Sequence, residues 1–84
     1  MEDIIKYPLS TEKVIRLMES ENTLAFIVAN KATKREIKKE IEAVFKSKVT
    51  KINTLTTPAG KKKAYVRFNS ETPAIDIATK LGLI

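Results

Sequence analysis

The residue types able to carry chemistry in this 84-residue chain are mostly cationic. Lys61, Lys62 and Lys63 are consecutive, Tyr65 and Arg67 follow at alternate positions, and no acid lies between Glu42 and Glu71. Ammonium and guanidinium groups at that density neutralise phosphates, and an aromatic ring among them can stack on an unpaired base. The competing reading is that Tyr65 packs across neighbouring strands, as aromatic residues often do. A second cluster is Lys31, Lys34 and Lys38. These either follow a phosphate backbone or form a solvated face balanced by Glu36, Glu40 and Glu42. Lys34 with Lys38, and Arg35 with Lys39, are like-charge pairs one helical turn apart, each costing roughly 0.2–0.5 kcal/mol. Something outside that helix is expected to compensate.

Most catalytic chemistry is excluded by composition. With neither cysteine nor histidine, the chain has no disulfide, thiolate or imidazole metal ligand, or nucleophile–histidine pair. Its two glycines, Gly60 and Gly82, make no phosphate-cradling loop, and no nucleophile elbow is present. An enzyme is not expected, nor is a cofactor or a metal. Sixteen lysines and arginines against ten acids give a net charge of +6, which favours a polyanionic partner. Adaptation to heat would account for the amount of charge but not for its sign.

At 43% apolar and 31% charged residues, the chain reads as one soluble domain spanning residues 1–84. The longest apolar run, Leu24 to Ala29, is far short of a membrane span, and Glu2 and Asp3 do not resemble the start of an export signal. No membrane insertion and a cytoplasmic location are therefore expected.

The elements that position the cations follow from periodicity. Ile4, Ile5 and Tyr7, stopped by Pro8, predict a short edge strand. Ser10 and Thr11 can cap a helix that Glu12 suits electrostatically; Val14, Ile15, Leu17 and Met18 carry its apolar face to about Ser20. Thr23 to Ala29 is apolar on both alternating faces, as in a covered central strand. Thr33 and Glu36 make a capping box for a helix reaching about Lys46, with Ile37, Ile41, Val44 and Phe45 as its core stripe. Val49–Thr56 and Lys63–Asn69 predict a hairpin about the turn Thr57–Lys61. In its second strand Ala64, Val66 and Phe68 face the core, while Lys63, Tyr65 and Arg67 face the other way. After Pro73, the residues Ala74, Ile75, Ile77, Ala78 and Leu81 predict a short helix ending at Gly82. The order β-α-β-α-β-β-α predicts an α+β fold, an antiparallel sheet packed with helices, with a split βαβ ferredoxin-like arrangement as the nearest rival.

Five segments in order, 8–13 (Pro-Leu-Ser-Thr-Glu-Lys), 22–28 (Asn-Thr-Leu-Ala-Phe-Ile-Val), 32–38 (Ala-Thr-Lys-Arg-Glu-Ile-Lys), 49–55 (Val-Thr-Lys-Ile-Asn-Thr-Leu) and 62–67 (Lys-Lys-Ala-Tyr-Val-Arg), resemble the ribosomal protein L23 family. Residues 77–83 (Ile-Ala-Thr-Lys-Leu-Gly-Leu) resemble the carboxyl terminus of its archaeal short form. The resemblance implies a structural, monomeric constituent of the large ribosomal subunit, bound to large-subunit ribosomal RNA beside the polypeptide exit tunnel and to neighbouring ribosomal proteins. The RNA-contact set expected from charge and resemblance together is Lys6, Ser10, Thr11, Lys13, Lys31, Thr33, Lys34, Lys38, Asn53, Thr54, Lys61, Lys62, Lys63, Tyr65 and Arg67. Glu12 matches the acidic position at which the family docks exit-site factors such as the signal recognition particle; its alternative role is a helix-terminal acid. Many bacterial members carry a long loop reaching into the tunnel where this chain has only Thr57 to Lys61. About five residues at roughly 3.5 Å each cannot extend far, so tunnel lining is not expected. Phe68 replaces the family's usual leucine and is expected to be a core substitution. A rival reading is a free-standing RNA-binding or regulatory module, which copy number per large subunit would distinguish.

Overall fold

The computed structural model describes residues 3–83. Its order is β1 (Ile5–Pro8), α1 (Glu12–Glu21), β2 (Thr23–Val28), α2 (Lys34–Phe45), β3 (Val49–Thr56), β4 (Lys62–Phe68) and α3 (Ala74–Lys80). This is the predicted α+β order, with element ends within a residue or so of expectation. The four strands form one sheet in the order β1-β2-β4-β3, and every neighbouring pair is antiparallel. Because β4 lies between β2 and β3, those two strands run parallel to each other and are joined through α2. The split βαβ unit is thus present inside the antiparallel sheet, so the two rival architectures coincide, with the amino-terminal strand supplying the edge beside β2.

Local chemistry sets the helix ends. Thr11 caps α1, its Oγ1 accepting from the Val14 N–H at 3.2 Å. Thr33 and Glu36 form the full capping box of α2, with bonds of 3.2 Å and 3.0 Å. The last turns of α1 and α2 close on Asn22 and Lys46, both in the left-handed region.

One face of the sheet makes the core. Leu24, Phe26 and Val28 of β2 and Ala64, Val66 and Phe68 of β4 pack with Ile37 and Ile41 of α2 and Ala74, Ile77 and Ala78 of α3. Phe68 is 2% exposed, a core position as expected. The stripe on α2 is narrower than its sequence suggests: Ile37 and Ile41 are fully buried and Phe45 partly, but Val44 is 61% exposed. Val44 lies on a flank beside the four-residue edge strand β1, which is too short to cover it. Ile15 and Ile75 are likewise on the outward sides of α1 and α3, exposed rather than packed.

Candidate nucleic-acid interface

Strand register places the side chains of the second face in three transverse rows. Thr23, Arg67 and Lys51 form one, Ala25, Tyr65 and Asn53 the next, and Ile27, Lys63 and Leu55 the third. Alternation along β4 puts Lys63, Tyr65 and Arg67 together on this face, as the sequence predicts, with about 7 Å between successive members. Ala25 and Ile27 are buried although α2 and α3 lie on the other face. Helix α1 overhangs one end and brings Lys13, Leu17 and Glu21 to the face; Lys13 Nζ sits 5.8 Å from the Tyr65 ring centroid. At the other end Lys61 Nζ donates to the Tyr7 hydroxyl at 3.0 Å, and the ammonium also lies 5.6 Å from that ring's centroid. The hydrogen bond to Tyr7 holds the Lys61 ammonium above the ordinary lysine pKa. Lys6, Lys31 and Lys61 line a shallow concavity there with Tyr7 and Asn30.

The charge on this face is nearly unopposed. Lys51 and Arg67 stand directly opposite one another across β3 and β4, an arrangement that destabilises a sheet unless an anion lies between them. Among the described residues, the side chains of Lys51, Asn53, Lys63, Tyr65 and Arg67 make no hydrogen bond or ion pair with this chain. Glu21 is the acid lining this end of the face.

Other expected contacts lie elsewhere. Lys34 and Lys38 are exposed on α2, across the core from this face and interleaved with Glu36 and Glu40. Lys62 belongs to the core-side row of β4, and its ammonium donates to the Ala32 carbonyl at 2.6 Å. Two of its three donors are left for another partner. Thr54 points with Ile52 to the helix side, and Ser10 is exposed just before α1. Thr11 and Thr33 are engaged as caps. Glu12 is exposed and accepts from Arg16 Nη2 at 2.9 Å, a pair one turn apart that the sequence reading did not anticipate.

The turn after β3 is tied back rather than extended. Thr57 N–H donates to Lys61 O at 2.8 Å, Gly60 occupies the left-handed region, and the Asn30 amide donates to Gly60 O at 3.1 Å.

Sequence reading also missed Asn22. Its side-chain amide donates to the carbonyls of Phe68, Asn69 and Thr72 at 3.1, 3.2 and 3.1 Å and accepts from the Ala74 N–H at 2.7 Å. It thereby fastens the end of β4 and the start of α3 to the β2 side of the sheet. The signal available in the sequence is an asparagine between the end of a helical pattern and an apolar strand, a residue type that closes helices in the left-handed region.

Comparison with known proteins places the chain among ribosomal proteins. Two relatives are large ribosomal subunit proteins uL23: that of Trypanosoma brucei brucei is 48% identical over 81 residues, covering 96% of this chain and 49% of the relative. That of Tetrahymena thermophila is 44% identical over 81 residues, covering 96% of this chain and 54% of the relative. The chain thus spans about half the length of these relatives. Both come from eukaryotes, so the expected archaeal character is not borne out. The model for the family described as ribosomal protein L23 matches residues 3–79, and the chain belongs to that family.

Proposed function

We propose that this chain is a structural constituent of the large ribosomal subunit, not an enzyme, and that it seats on large-subunit ribosomal RNA through the second face of its sheet. The carrying observation is the unpaired cationic set of that face, above all Lys51 directly opposite Arg67, within a member of a ribosomal protein family. An anion between them turns a repulsive pair into a favourable one, and phosphate supplies it. Lys13, Lys61 and Lys63 extend the same surface. The α2 lysines contribute a second, weaker contact because their glutamates offset them.

In this reading the chain sits in the cytoplasmic ribosome near the polypeptide exit tunnel, as a single copy beside other large-subunit proteins. The start of α1 around Glu12 is then offered to exit-site factors such as the signal recognition particle. A crosslinking footprint on purified large-subunit RNA tests the seat. Crosslinks concentrated at Lys51, Lys63 and Arg67 are expected; crosslinks confined to α2 would reverse the assignment of faces.

A further inference from the structure

We propose that the concavity between α1 and the sheet's second face holds one unpaired nucleobase, stacked on Tyr65. This deepens the RNA-binding reading above and rests on it. Tyr65 is half-buried, and its cross-strand neighbours are the small Ala25 and Asn53, so no aromatic ring from an adjacent strand packs beside it. The ring lines the concavity beneath α1, with the Lys13 ammonium 5.8 Å from its centroid. Lys13 is exposed, on a flexible stem, and contact between an exposed cation and a ring is weaker than stacking of a base on that ring. A base displaces Lys13 from the ring and leaves it free to meet a phosphate.

The surroundings suit a nucleotide rather than a bare anion. Lys63 and Arg67 flank Tyr65 on the same strand, about 7 Å to either side, placed for the phosphates before and after the stacked base. The Asn53 amide, directly across from Tyr65 and unbonded within the chain, offers both a donor and an acceptor to a base edge. A site for phosphate alone would need neither the ring nor the amide.

The test compares binding of the 84-residue chain to a single-stranded oligouridine decamer and to an abasic ribose-phosphate strand of equal length and charge, at one salt concentration. The base-bearing strand is expected to bind about 5- to 150-fold more tightly and to shift the Tyr65 ring protons in NMR spectra, which the abasic strand leaves unmoved. Tyr65→Phe keeps that preference, whereas Tyr65→Leu abolishes it without changing the salt dependence. Equal binding of the two strands by the wild-type chain, or an unchanged preference in Tyr65→Leu, overturns the base site while leaving the RNA seat intact. Failure of both strands to bind at low salt overturns the RNA reading and the base site together.

Discussion

Among single residues, Asn22 carries more structure than any one lysine. Its left-handed backbone, at φ 53°, is tolerated by asparagine better than by most side chains, and its amide makes four hydrogen bonds to backbone groups more than forty positions away. Asn22→Ala strands three carbonyls and one N–H near the core and adds backbone strain. A loss of about 2–4 kcal/mol is expected, read as a lowered thermal midpoint by circular dichroism. Asn22→Gly removes the strain but does not restore the lost bonds, so it should fall between alanine and wild type. Glu12 presents the opposite case, since its pair with Arg16 is well exposed and worth little to the fold. Glu12→Ala is expected to cost at most about 0.3–1 kcal/mol through the helix terminus, to leave RNA affinity unreduced, and to weaken factor binding by ribosomes that carry it. Signal recognition particle binding measured on such ribosomes decides this; unchanged binding removes Glu12 from the docking surface.

Among the secondary-structure elements, α2 separates stability from charge. Its apolar side is anchored by Ile37 and Ile41, both fully buried, and its start by the Thr33–Glu36 box. Ile41→Ala should cost about 2–5 kcal/mol and Thr33→Ala about 1 kcal/mol in denaturant unfolding, the first by opening a cavity and the second by freeing an N–H. Replacing Lys34 and Lys38 together with alanine should leave the domain folded and weaken RNA binding less than replacing Lys63 and Arg67 of β4 together. The reason is the company each pair keeps: glutamates on the helix, further cations on the sheet. A larger loss from the helix pair would show that α2 is the principal seat.

Over the whole molecule, the net charge of +6 acts through its placement. RNA affinity is expected to fall with salt on a log–log slope of about −0.7 to −0.9 per phosphate contact. Removing Lys63 and Arg67 together should therefore make the slope shallower by about 1.4–1.8, whereas Tyr65→Leu should leave it unchanged. Titrations of the 84-residue chain between low and moderate salt measure both, and a slope indifferent to the double substitution would exclude those two residues as phosphate contacts.

Features legible in the linear chain are those that neighbours within a turn or a strand can dictate. The caps at Thr11 and Thr33, the alternation that sends Lys63, Tyr65 and Arg67 one way and Val66 the other, the short turn at Gly60 and the sign of the charge all depend on residues a few positions apart. Which of those local features meet is settled by the folded arrangement. That Lys51 faces Arg67, that Lys62 is tied to Ala32, that Asn22 holds the start of α3 and that Val44 is left uncovered follow from the β2-β4-β3 register and from where β1 stops. Register pairs residues from distant parts of the chain, and a shift of one position would exchange the two faces of a strand, so burial of the core face selects the arrangement that no local pattern contains.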